Sequence, residues 1–259
     1  AVRSFVQHRL GAEALGQFQA AWAISMTYLG FVLSAMGTDY YPRLTAIIHD
    51  EQAAGRLVNE QTEVALLLGG PVVIAMIALA PHVIALLYSR EFAPAVEILR
   101  WQLLGDILKI ASWPLGFVLV AGAAGRTFMA VEATAMAVFL AGVWFALPLV
   151  GLQATGASFL VMYVVYLPLV FWFARRRIGF AWRPAVVRQM IIIAAVALGV
   201  TALARVSEPA AAGLGCAATV ALGLFGIGRL GAIAELSGPL GRLATVSRRV
   251  GKAMGMRFG

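Results

Sequence analysis

Residues 100–122 read RWQLLGDILKIASWPLGFVLVAG. One basic residue, Arg100, opens a long apolar run that is interrupted by Gln102, Asp106, Lys109 and Pro114. A bilayer core about 30 Å thick needs about 20 apolar residues in a helix, and this run is long enough. It does not alternate polar and apolar residues as a barrel strand would. The reading is therefore a membrane-spanning helix that carries charges in its interior.

Working outward, six more runs have the same character. The expected spans are about 14–36, 63–88, 100–122, 128–149, 153–173, 190–204 and 210–227. The sixth is short, which leaves six spans as an alternative. Only Val150, Gly151 and Leu152 separate the fourth and fifth, so these form a tight hairpin. Residues 37–61 are expected to be a long polar loop. The fold class is all-α, a polytopic transmembrane bundle of about seven spans.

Composition agrees. Of 259 residues, 61% are hydrophobic and 12% charged, with a mean hydropathy of +0.88. Average soluble domains hold roughly 45–50% and about 25%. So few charges cannot cover so much apolar surface. The net charge of +8 does not point to nucleic acid, because most basic residues sit at the ends of apolar runs. Membrane proteins place Lys and Arg in this way. The one cysteine, Cys216, lies in an apolar run and reads as a small core residue. His8, His49 and His82 show no metal-ligand spacing, and there is no phosphate loop, dinucleotide fingerprint or nucleophile elbow.

Charge also sets an expected orientation. With the segment after the first span inside, fourteen Lys and Arg lie on the inner side and five on the outer. By the positive-inside rule the N-terminus is then external and the C-terminus cytoplasmic. The chain starts at Ala1-Val2-Arg3 without a leader, which suggests a longer parent protein. From Gly238 the sequence is basic with interspersed apolar residues. An interfacial helix on anionic lipid and a solvated tail both fit.

Polar groups inside a span mark function or a structural ion pair. Asp106 and Lys109 are three apart and share a face of the third span. A carboxylate in a protein-lined cavity can take up and release a proton or cation, and a lysine there can hold an anionic headgroup. A neutralising pair is the plain alternative. Pro71, Pro114 and Pro168 are expected to kink their helices, either as hinges or as packing features. Glu63 reads as a favourable anion opening the second span, and Glu132 either as a cavity carboxylate or as an anion near a helix N-terminus, the second being the simpler reading. Gln19 and Trp22 share a face of the first span, where they would either touch substrate or pack, packing being the simpler role.

Four strings, in order, carry a resemblance. They are Leu10-Gly11-Ala12-Glu13-Ala14-Leu15-Gly16 continuing to Trp22, Tyr40-Tyr41-Pro42-Arg43-Leu44, Leu87-Tyr88-Ser89-Arg90-Glu91-Phe92, and Arg100-Trp101-Gln102 through Asp106 and Lys109 to Trp113-Pro114. Over roughly residues 10–114 the chain resembles the O-antigen (Wzx-type) polysaccharide flippases of the multidrug/oligosaccharidyl-lipid/polysaccharide exporter superfamily.

The resemblance implies two six-helix lobes facing a central cavity. Residues 1–174 would be most of the second lobe, 175–237 two additional transmembrane helices and 238–259 a basic cytoplasmic tail. The missing N-terminal lobe would be a partner. The implied cargo is an undecaprenyl-pyrophosphate-linked oligosaccharide, such as an O-antigen unit of lipopolysaccharide. It would be flipped across the bacterial inner membrane by alternating access, with a coupling proton or cation and no cofactor. The implied pathway residues are Arg43 at the cytoplasmic mouth, Arg100 at the external rim, Gln102 toward sugar, and Asp106 with Lys109 in the cavity. Alternatives are a lipid II flippase or drug/cation antiporter of the same superfamily, a membrane-embedded glycan polymerase or ligase, and a non-transporting scaffold. The external segments 89–99 and 205–209 are too short for a catalytic loop, so the chain is not expected to be an enzyme.

Overall fold

The computed structural model describes residues 2–232. The order is α1 (Val2–Ile47), α2 (Glu51–Ala78), α3 (Ala80–Leu87), a single 3-10 turn (Arg90–Phe92), then α4 (Ala95–Ala121). There follow α5 (Gly125–Val150), α6 (Gln153–Ile178), α7 (Pro184–Ala204) and α8 (Glu208–Ala232). All but α3 and the 3-10 turn are long and apolar enough to cross a membrane, which makes seven spans among the described residues. The protein is a multi-pass helical bundle. The basic tail expected from Gly238 lies outside the described residues.

Several expected boundaries move. The first span is longer than 14–36 and the loop expected over 37–61 is absent. α1 runs to Ile47, and only a short turn precedes α2 at Glu51. Polar residues there had suggested a loop. They instead belong to helix ends that run past the hydrocarbon, where polarity costs nothing. Asp50 caps α2, accepting from the Ala53 amide at 2.9 Å. Glu63 does not open α2 but lies a dozen residues inside it. α1 breaks at Gly11, with φ 89° and ψ 178°, a conformation open to glycine. The helices run on through Pro71, Pro114 and Pro168.

α2 and α4 form the centre, each 72% buried over its most apolar window, against 22% for α5 and 17% for α8. α4 packs on α6, α1 and α2. α5 leans mainly on α6, and the α7–α8 hairpin covers α2. The tightest approaches need glycine. A Cβ on Gly156 would lie 2.6 Å from the Ile98 carbonyl oxygen, so α6 meets the α4 backbone directly. A Cβ on Gly215 would overlap the Ala78 methyl where α8 crosses α2. Small residues at helix crossings allow this closeness inside a membrane.

The turns α1–α2, α4–α5 and α6–α7 gather on one face, called here the basic face. Arg177 there donates to the Gly122 carbonyl. Asn59, 3% exposed, grips the α6–α7 linker. Its Nδ2 donates to the Ala181 carbonyl at 3.0 Å and its Oδ1 accepts from the Arg183 amide at 2.8 Å. On the opposite face Arg205 lies over the Trp101 ring, 5.6 Å from its centroid. Cys216 corrects the sequence reading. It is exposed on α8, not in the core.

Candidate functional site

A cavity of about 250 Å³ opens among α1, α4, α5 and α6. α4 supplies Lys109 near its midpoint, together with Ser112 and Trp113. α5 supplies Glu132, and α6 supplies Phe159, Tyr163 and Tyr166. Trp22 of α1 stacks on Phe139 at 5.8 Å and meets Phe159 edge-on at 5.6 Å. Phe5 of α1 stacks on Trp144 of α5 at 4.7 Å, nearer the opposite face. Aromatic rings therefore bridge α1 and α5 on that side of the cavity.

The two charges inside are held differently. Lys109 Nζ points at the Met26 sulfur at 3.4 Å and lies 5.9 Å from the Phe159 ring centroid. Neither contact neutralises an ammonium, although the ring face attracts a cation. Glu132 accepts from the Tyr166 hydroxyl at 2.5 Å. Of the two readings expected for Glu132, the cavity carboxylate fits the structure, because Glu132 and Lys109 line the same cavity. Ring faces flanked by one cation and one carboxylate suit a polar ligand with a flat apolar face.

Asp106 sits one turn from Lys109 and faces α1. It is fully buried, and its Oδ2 accepts from the Ser25 hydroxyl at 2.7 Å and the Tyr28 hydroxyl at 3.0 Å. Its Oδ1 has no hydrogen-bond partner. Gln102, one turn back and also fully buried, has no partner for either side-chain polar atom. Buried groups left unsatisfied are costly and uncommon. Among the described residues no ion pair joins Asp106 to Lys109. The two charges attract each other without a direct contact, so the helix carries a loosely coupled pair rather than a closed salt bridge.

The structure brings Gln102, Asp106 and Lys109 together along one stretch of α4 but separates the two arginines from them. Arg100 is 1% exposed and packs toward α2 and α8. It donates to Glu208 at 2.8 and 2.6 Å, to Glu97 at 3.0 Å and to the Ile77 carbonyl at 3.4 Å. Arg43, near the basic face, pairs with Asp39 at 3.1 Å. Trp22 lines the cavity, whereas Gln19 is exposed. The sequence reading missed Ser25, Tyr28, Tyr163 and Tyr166. Ser25 and Tyr28 carried a signal, since polar residues three apart in an apolar helix share a face.

Comparison with known proteins adds partial similarities. Residues 3–97 match the family described as "Polysaccharide biosynthesis protein". The chain is also similar to the Lipid III flippase of Escherichia coli (strain K12), with 24% identity over 183 residues. That alignment covers 68% of this chain and 43% of the relative. The Lipid III flippase of Shigella flexneri matches to the same extent. The chain therefore spans less than half the length of the curated relatives it matches. No solved structure matches it.

Proposed function

We propose that this chain forms most of one lobe of a lipid-linked oligosaccharide flippase of the bacterial inner membrane, and that the α1–α4–α5–α6 cavity lies on its cargo path. One observation carries the reading: a chain similar to lipid III flippases holds Lys109 and Glu132 among aromatic rings in the middle of a membrane bundle. A flippase must move sugar hydroxyls and a diphosphate through hydrocarbon while the polyprenyl tail stays in lipid. Aromatic faces stack on pyranose rings, the ammonium attracts the anionic linkage and the carboxylate accepts from sugar hydroxyls. The cargo class is an undecaprenyl-pyrophosphate-linked oligosaccharide, O-antigen units being the member the sequence resemblance favours.

In this reading Asp106 is the coupling group. Its free Oδ1, and the Ser25 and Tyr28 hydroxyls on Oδ2, provide oxygens for a proton or monovalent cation. Gln102 one turn away is the polar neighbour that follows its charge. Arg100 is a clamp rather than a cargo contact, and Arg43 sits at the mouth on the basic face. That face is cytoplasmic by the distribution of Lys and Arg. The other lobe completes the cavity, and no catalytic step is involved.

Surface glycan display in a flippase-deficient bacterium tests the proposal. The chain is expressed alone, joined to its upstream sequence, and joined with Asp106→Asn or Lys109→Ala. Display is expected from the joined form alone, and loss of display at normal protein level from either substitution. A joined form that inserts stably yet restores display with no O-antigen, lipid II or lipid III donor overturns the assignment.

A further inference from the structure

A second cavity, about 570 Å³, lies between α2, α7 and α8 and shares no helix with the one above. One end is charged and the rest is apolar. Glu63 of α2, 8% exposed, accepts from Arg229 of α8 at 2.7 and 3.2 Å. Arg188 of α7 lines the same end and has no ion-pair or hydrogen-bond partner among the described residues. The apolar wall includes Ile192, Leu222 and Phe225. Ile192 and Phe225 are 45% and 54% exposed, so the crevice opens sideways onto the surface that meets lipid.

Depth and charge narrow the occupant. Arg188 lies roughly 6 Å inside the start of α7, at 1.5 Å per residue, and Arg229 lines the same end of the crevice. Both therefore reach the headgroup–acyl boundary of the basic face. Glu63 answers one of the two guanidiniums and leaves the other uncompensated. Guanidinium binds phosphate oxygens in a planar, two-pronged way. A free phosphate would leave the apolar wall uncovered. A lipid from the surrounding leaflet fills both parts by moving sideways into the crevice.

We propose that the α2–α7–α8 crevice is a binding site for one anionic glycerophospholipid, its phosphate on Arg188 and Arg229 and an acyl chain along Ile192, Leu222 and Phe225. The α7–α8 hairpin then has a function of its own, to hold a resident lipid against α2. This inference needs only the membrane reading and does not depend on the cargo.

The test uses the full 259-residue chain in phosphatidylcholine nanodiscs doped with phosphatidylglycerol, followed by native mass spectrometry of retained lipid. One phosphatidylglycerol per chain is expected to persist. Arg188→Gln removes a charge-assisted contact and is expected to weaken retention by roughly tenfold or more. Ile192→Trp fills the crevice without changing charge and is expected to do the same. Arg175→Gln, an exposed arginine of the same face outside the crevice, is expected to change nothing. Equal losses from Arg175→Gln and Arg188→Gln would mean general attraction to the interface and overturn the proposal. So would displacement of phosphatidylglycerol by stoichiometric undecaprenyl phosphate, which would assign the crevice to the cargo. Unchanged unfolding midpoints in the variants exclude misfolding as the cause of any loss.

Discussion

The N-terminal end of α4 and its middle carry charges of equal apparent cost, yet they are treated in opposite ways. At the N-terminal end Arg100 is almost wholly enclosed and each prong of its guanidinium is answered, by Glu208, Glu97 and the Ile77 carbonyl. In the middle, Asp106 keeps one oxygen without a partner, Gln102 keeps both of its polar atoms so, and Lys109 faces sulfur and a ring. A fully answered charge fixes geometry. It ties α4 to α8 in one register and one orientation. A partly answered charge keeps capacity for a ligand, at a cost in stability that the surrounding helices offset. Two regions within about two turns of each other on one helix thus separate a clamp from a site.

Breaking the clamp is expected to give the largest loss of stability. Glu208→Ala leaves Arg100 buried with Glu97 as its remaining ion-pair partner and the Ile77 carbonyl as a long hydrogen bond. Losing one partner of a buried pair costs roughly 3–5 kcal/mol, reduced here to about 2–3 because Glu208 is half exposed and Glu97 remains. A fall in unfolding midpoint, followed by tryptophan fluorescence in detergent, measures it. A charge exchange, Arg100→Glu with Glu208→Arg, should recover part of the loss. An exchange that recovers nothing would show that packing, not charge, holds α8.

The α4–α6 contact comes next. Gly156→Ala must push α6 away from the Ile98 carbonyl, and overpacking of this kind costs roughly 1–3 kcal/mol. It should lower the same midpoint and disturb the cavity, because Phe159 lies on the same helix. An unchanged midpoint would mean that the two helices separate freely.

The middle of α4 should behave in the opposite sense. Asp106→Asn keeps the shape of the side chain and removes a buried charge, so stability is expected to hold or rise while glycan display is lost. A variant that unfolds yet transports when folded would move Asp106 to the clamp side of the comparison. Tyr166→Phe removes one hydrogen bond to Glu132 and is expected to cost about 1 kcal/mol, with display reduced rather than abolished. Arg43→Gln, which breaks a partly exposed pair within one helix, should cost below about 0.5 kcal/mol. A larger effect in the same unfolding assay would give Arg43 a partner role that the pair with Asp39 does not explain.

Much of the fold was legible because the membrane imposes it. Hydrocarbon requires about 20 apolar residues per span, so all seven spans could be counted from residue 14 onward. Their ends were less clear. Residues 37–61 looked like a loop because helices that leave the hydrocarbon lose their apolar signature while keeping their hydrogen bonds. Of the candidate site, Asp106 and Lys109 stood out as charges in an apolar run. Tyr163 and Tyr166 did not, because each is ordinary within its own helix and gains meaning only from a neighbour on another, and the shared face of Ser25 and Tyr28 was a signal that only Asp106 on another helix makes readable.

The sequence alone determined that the chain crosses a membrane several times, and that α4 brings Gln102, Asp106 and Lys109 into its interior on one stretch. Those are facts about local composition and the period of a helix. The tertiary structure decided which charge meets which. It turned Arg100 away from the cavity and onto Glu208, sent Glu63 to Arg229, and set Glu132 beside Lys109. The reason is physical. The choice of partner depends on helix packing, through contacts such as Gly156 on Ile98 and Gly215 on Ala78, and packing is a property of pairs of helices that no single run of residues contains.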